Sequence, residues 1–200
     1  MIFLEEGSAL RLMEEMILRE GKILPGGVLK VGSFLNQRID PRLLRAMGEE
    51  IARLFFGCGV NKLLTIESSG IAIAASAALA MDLPLVFAKK HRTSNVDGDV
   101  YSTVVHSFTH GMDYNVVVSR DYLTSDDCVL LVDDFLASGA ALVGLAELTK
   151  LAGARLAGAA IAIEKRFQGG GDALRARGLR VESLALIERM DENEIVFAHS

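Results

Sequence analysis

The sequence predicts an α/β protein with a central, mostly parallel sheet flanked by helices, and three observations predict it. The wholly apolar run 129–132 (VLLV) and the buried-strand candidate 61–66 (NKLLTI) each lead through a turn with small or hydroxyl residues into a helical stretch. Runs that are apolar throughout, rather than alternating, mark strands buried on both faces, as parallel strands are. Half of the 200 residues are hydrophobic, enough for one substantial core, and no repeat, linker or low-complexity stretch calls for a second domain over 1–200.

From Gly7 to Glu20, apolar residues at 9, 10, 12, 13, 16 and 17 predict a helix with Ser8 as candidate N-cap and Gly21 as its stop. Residues 23–36 predict a turn and a short extended segment, and spacing alone makes Asn36 a turn residue ahead of the next helix. Asp40 before Pro41 is a helix start, and apolar positions 43, 44, 47, 51, 54, 55 and 58 give a buried face running to Gly57 or Gly59.

After the strand 61–66, Glu67-Ser68-Ser69-Gly70 turns into a small-residue helix over 70–81. Hydroxyls and free N–H groups at a helix N-terminus suit an anion, the plainer alternative being a turn with serine caps. The next strand, 83–88, ends in Lys89-Lys90-His91-Arg92, which suits pyrophosphate, or is simply a solvated charge run. Polar residues 93–99 precede a predicted hairpin of V100 to F108 and N115 to S119, turning around 110–113. His106 and His110 fall on strand and turn and read as structural.

The strand 129–132 is followed at its C-terminal end by Asp133 and Asp134, then by Ala137-Ser138-Gly139-Ala140-Ala141 and a helix over 142–151. Open α/β sheets bind ligands at such strand ends. Small residues let backbone N–H groups approach a phosphate, Ser138 adds a hydroxyl, and two carboxylates can accept from ribose hydroxyls or help to hold a divalent cation. The alternative is that the two acids only end the strand and cap a turn. Residues 157–164 form a further strand ending in Glu164-Lys165, with Phe167 just beyond. Gly169 to Asp172 open a short helix through Arg177, 180–189 alternates as a strand, and 195–197 makes a last edge or hood strand.

A formal charge of −5 and a pI near 5.4 argue against a nucleic-acid-binding face. Cys58 and Cys128 are isolated, without zinc-site spacing, and fit buried thiols in a reducing compartment. The start, MIFLEE, lacks the basic region of a signal peptide, and no apolar run reaches the ~20 residues a membrane helix needs. A cytoplasmic protein without membrane partner is expected.

The strand, the acid pair and the loop 137–141 together resemble the phosphoribosyl pyrophosphate motif of type I phosphoribosyltransferases, and nearly the whole chain is similar to the xanthine-using bacterial members of that family. The resemblance implies the family's fold, with a small hood from about 23–38 and the C-terminal segment, and with the hairpin as a mobile flap over the site. It implies transfer of phosphoribose to xanthine, Mg2+ carried with the phosphoribosyl pyrophosphate, and a homodimer. It assigns catalysis to Asp133 and Asp134, with assistance to the metal from both. The sugar phosphate falls to Ala137, Ser138, Gly139, Ala140 and Ala141, and pyrophosphate to Ser68, Ser69, Gly70, Lys89 and Lys90, in a turn that often holds a strained peptide bond. Xanthine falls to Leu29, Asn36 and Lys165, with Phe167 able to stack on the base or, without the resemblance, to pack in the core.

Three positions, in two places, depart from the family. Ala137 stands where hypoxanthine and guanine transferases carry an aspartate that manages a purine proton; xanthine is more acidic and needs that group less. Ala140-Ala141 replaces a common Lys and Thr, so Ser138 and the backbone must hold the phosphate. Two other functions remain open. A regulator of the same fold would need a DNA-binding segment or basic face that the chain lacks, and an adenine transferase would be poorly served by Lys165 beside an exocyclic amino group.

Overall fold

The structure, a computed structural model, describes residues 8–90, 99–107 and 112–198. Helix α1 (Ser8–Glu20) precedes a hairpin of β1 (Lys22–Leu24) and β2 (Val28–Lys30), a π-helical turn over Gly32–Asn36, and α2 (Pro41–Leu54). Then come β3 (Lys62–Ile66), α3 (Ser69–Met81), β4 (Leu85–Ala88), and a second hairpin of β5 (Val100–Ser107) and β6 (Met112–Ser119). The last third holds β7 (Cys128–Leu136), α4 (Ala140–Leu151), β8 (Arg155–Lys165), a 3-10 turn, α5 (Gly170–Ala176), β9 (Val181–Met190) and β10 (Ile195–Phe197).

Six strands form the central sheet in the order β10-β9-β8-β7-β3-β4, all parallel except the edge strand β10, which runs antiparallel to β9. The order turns between β3 and β7: from β3 the chain winds outward to β4, and from β7 the other way to β8 and β9. At such a switch point the turns leaving two neighbouring strands diverge and leave a crevice at their carboxyl ends.

Alternation along β7 splits the core between the two faces. Leu130 and Val132 pack with Met13, Ile17, Met47, Ile51 and Ile73 from α1, α2 and α3. Val129 and Leu131 pack with Leu142, Leu145 and Leu148 of α4 and with Val105, Val116 and Val118 of the β5–β6 hairpin. Each such side chain, taken wholly out of water, contributes about 2 kcal/mol. Asp40 caps α2 as its position predicted, its Oδ1 accepting from Arg42 N at 2.9 Å and Leu43 N at 3.0 Å with Pro41 in the first turn. Gly21 ends α1, donating to Ile17 O at 2.8 Å where any Cβ would overlap that carbonyl.

Three expectations change and one alternative is decided. The strand at 129 runs on through Leu136, with Asp133 paired to Ile161 and Phe135 to Ile163, so the acid pair lies within the strand and not after it. α2 stops at Leu54, although Phe55 just beyond is still buried. Of the two places expected for 195–197, edge or hood, the strand takes the edge of the main sheet, where its backbone completes the ladder of β9. The described arms of the β5–β6 hairpin are anchored, not free: Val105 and Val116 are core residues, Thr103 Oγ1 donates to Glu147 Oε2 on α4 at 2.7 Å, and Lys89 and Val117 form a bridge. The hairpin tip around His110, together with His91, Arg92 and 93–98, lies outside the described residues.

Candidate functional site

Because the strands are parallel, the segments leaving β3, β4, β7 and β8 all emerge at one edge of the sheet. That edge brings together Glu67–Gly70, Lys89 and Lys90, Asp133 to Gly139, and Lys165 to Phe167.

Asp133 is 8 % exposed, its Oδ1 accepting from Asp134 N at 3.0 Å. Burial, and after it the neighbouring Asp134 charge, pushes its carboxyl well above the ordinary carboxylate range, while the Lys90 charge opposes this only in part. Asp134 is more open, with one oxygen accepting from Phe135 N at 3.0 Å and the other from Asn36 Nδ2 at 3.4 Å. Neither acid caps a helix; the N-cap of α4 is Gly139, which adopts a φ of 86° and brings no side chain to cap it. Each acid accepts a neighbouring backbone N–H within the strand, and among the described residues the first N–H groups of α4 have no side-chain partner. Ser138 is exposed at the mouth of this loop.

The turn after β3 carries a cis peptide at Glu67–Ser68. Ser68 makes no capping bond from its side chain, so the serine-cap alternative is not what the structure adopts. Gly70 sits against Asp133: a Cβ there would overlap Thr65 Oγ1 and lie 3.3 Å from Asp133 Oδ1. Lys90 N donates to Glu67 Oε1 at 2.8 Å, tying the basic segment to the same turn, and Lys90 Nζ lies 5.4 Å from the centroid of the Tyr114 ring. Burial and then the Asp133 charge raise the Tyr114 hydroxyl above its ordinary pKa.

Lys165 is not a solvated strand-end lysine. Its Nζ donates to Gly27 O in the β1–β2 turn at 2.8 Å and lies 5.4 Å from the Phe135 ring centroid, and burial lowers its pKa. Phe167 is 43 % exposed, so it is not core; its ring edge lies beside Gly27. Asn36 reaches the acid pair instead of only turning the chain. Leu29 differs from the rest, since its side chain is 5 % exposed and packed in the core. His106 pairs with Asp113 at 2.5 Å on the hairpin.

Three participants escaped sequence reasoning. Tyr114 looked like one residue of an alternating strand, and only the fold brings its ring beneath Lys90. Glu67 looked like part of a turn. Glu164 is wholly buried and held by Arg175 at 2.8 and 2.7 Å and by the Ser183 hydroxyl; an acid closing an apolar strand was the available signal.

Chemically, the edge offers two adjacent carboxylates, a loop with unpaired helix N–H groups, a second turn with hydroxyls, and a lysine at the far side. Among the described residues no three His, Cys, Asp or Glu side chains group as a metal site. Two hard carboxylates fit Mg2+ chemically but fill only part of its octahedral shell, so other oxygens must come with a ligand.

A crevice at the switch point of a doubly wound sheet, with paired acids running into a small-residue loop, defines a nucleotide- or sugar-phosphate-handling α/β protein. The family model described as "Phosphoribosyl transferase domain" matches residues 41–194, and the chain belongs to this family. Among curated relatives, a xanthine phosphoribosyltransferase of Heliobacterium modesticaldum is 50 % identical over 93 % of this chain and 98 % of its own. One from Bifidobacterium longum is 51 % identical, covering 94 % and 98 %. Solved structures of adenine phosphoribosyltransferases share the fold: that from Giardia lamblia superposes with a TM-score of 0.74 at 22 % identity over 86 % of this chain and 96 % of its own. That from Rhodothermus marinus gives 0.72 at 21 % over 90 % and 98 %.

Proposed function

We propose that the chain transfers the 5-phosphoribosyl group from phosphoribosyl pyrophosphate to a ring nitrogen of xanthine, giving xanthosine 5′-monophosphate and pyrophosphate in purine salvage. The observation that carries this is the meeting of the acid pair, two phosphate-suited turns and Lys165 at one sheet edge, in a chain half identical to xanthine phosphoribosyltransferases over nearly its full length.

The bond from the anomeric carbon to pyrophosphate breaks as the bond to the base nitrogen forms, through a sugar with cation character. Asp133 and Asp134 face that positive charge and accept from the ribose hydroxyls. The 5′-phosphate lies on the N–H groups and hydroxyl of Ala137, Ser138, Gly139, Ala140 and Ala141 at the start of α4. Pyrophosphate lies against Ser68, Ser69 and Gly70, with Lys89 and Lys90 neutralising its charge. Asp133 and Asp134 would help to hold a Mg2+ bound with the substrate, and the ion would add charge neutralisation on the leaving group. Lys165 donates to a keto oxygen of xanthine, Phe167 stacks on the ring, and Asn36 and the strand around Leu29 close the base pocket. With Ala at 137 no side chain takes the purine proton, which suits a base acidic enough to shed it.

The reading includes a cytoplasmic homodimer; both cysteines are free thiols, and no described helix is long and apolar enough to cross a membrane. Exposed Leu79 of α3 and Phe87 of the edge strand β4 are apolar surface a dimer would bury. Turnover of xanthine, guanine, hypoxanthine and adenine with phosphoribosyl pyrophosphate and Mg2+ tests the reading: xanthine is expected to give the highest kcat/KM, and preference for adenine, or no turnover of any base, would overturn it.

A further inference from the structure

The first turn of α5 touches both halves of the site. Gly170 N donates to Ala137 O at 3.1 Å. A Cβ on Gly170 would overlap that carbonyl and lie 2.5 Å from the Ser138 carbonyl carbon and 2.7 Å from Gly139 N. Every one of those atoms is backbone, so nothing there can swing aside.

Gly171 faces the other way. A Cβ on it would overlap Glu164 Oε1 and come within 2.6 Å of Glu164 Cδ and 2.8 Å of Arg175 Nη1. Glu164 is 0 % exposed and locked by the Arg175 fork and the Ser183 hydroxyl, so its end is not free to move either. It is also the strand neighbour of Lys165. Successive side chains leave a strand on opposite faces, so pinning Glu164 on one face fixes where Lys165 projects on the other.

We propose that the first turn of α5 is a two-sided wedge, in which Gly170 sets the phosphate loop at 137–139 and Gly171, through Glu164 and Arg175, sets Lys165 for the base. Both glycines are positioning residues, and neither touches a substrate. The wedge rests on the reading that the loop holds the 5′-phosphate and Lys165 the base. Its consequence is that two adjacent residues govern different substrates.

Steady-state kinetics separates the two arms. Gly170→Ala should raise KM for phosphoribosyl pyrophosphate about tenfold or more and leave KM for xanthine within about twofold. Gly171→Ala should do the reverse, and if it does not accumulate as folded protein, Arg175→Lys, which keeps the charge but loses the fork, reads the same arm. Gly178→Ala is the control: its φ of 86° disfavours a side chain, yet a Cβ there meets nothing within 4 Å, so it should cost stability and leave both KM values alone. Equal changes in both KM values, no change in either, or the same split in Gly178→Ala would overturn the wedge while leaving the function intact. A wild-type protein that forms no nucleotide would instead remove the functional reading, and the wedge with it.

Discussion

One strand carries an acidic pair at each end, and the two pairs have opposite surroundings. Asp126 and Asp127 precede β7, and Asp133 and Asp134 lie in its last third. Asp127 is satisfied: Lys62 Nζ lies 2.7 Å from its Oδ2, Thr124 N donates to the same oxygen at 2.7 Å, and Thr124 Oγ1 at 3.2 Å. Burial alone would raise its pKa, but the Lys62 and Thr124 partners outweigh it and the carboxyl lies below its ordinary value. Asp133 is as little exposed and touches no cation among the described residues; burial first, and then the Asp134 charge, raise it well above that value. The amino end of the sheet stabilises a fold, whereas the carboxyl end holds an unmet electrostatic demand that a cationic sugar or a metal would meet.

The largest effect that sharpens this contrast is on catalysis. Asp133→Ala and Asp134→Ala are each expected to lower kcat/KM by ~10²–10³-fold, measured as xanthosine monophosphate formation, with circular dichroism melts that remain cooperative. Asp133→Asn should melt no lower than the wild type at neutral pH. A carboxyl with a raised folded pKa is most favourable in acid and loses stability as pH rises, a loss the amide avoids. Unfolding of the Asp variants would assign the pair to structure and erase the contrast.

Next comes Asp127→Ala, which leaves the Lys62 ammonium, 15 % exposed, with the Tyr122 carbonyl but no counter-charge, and should cost about 3 kcal/mol in urea unfolding with kcat preserved. The sign of its pH dependence is opposite to that at Asp133. A lowered folded pKa stabilises above the ordinary carboxylate range, so the gap between wild type and Asp127→Asn should close as pH falls through the lowered value. A gap that persists in acid would show that packing, not charge, is what Asp127 contributes.

Smaller effects lie within the carboxyl end. Lys165→Ala should raise KM for xanthine about tenfold with little change in KM for phosphoribosyl pyrophosphate, the loss of one charge-assisted hydrogen bond. An equal rise in both would make Lys165 a support for the Gly27 turn only. Smallest is Ala137→Asp, which should raise hypoxanthine turnover severalfold; an unchanged base preference would show that the acidity of xanthine is not why the chain does without that group.

What the sequence determined by itself was whatever depends on neighbours in the chain. The run 129–132 is apolar at every position, which marks an interior parallel strand; Asp40-Pro41 marks a helix start; and the small residues 137–141 mark a tight turn into a helix, which the structure begins at Ala140. Family likeness then nominated Asn36 and Lys165, which local spacing would have left as a turn residue and a solvated cation. Only the tertiary structure decided that Asn36 reaches Asp134, that Lys165 rests on Gly27, that Tyr114 stands beneath Lys90, and that two adjacent glycines of α5 abut different parts of one site. The physical reason is distance along the chain. Hydrophobic period and capping act over a few residues and are written locally, but a carboxylate's pKa or a glycine's necessity is set by atoms that folding brings from tens of positions away.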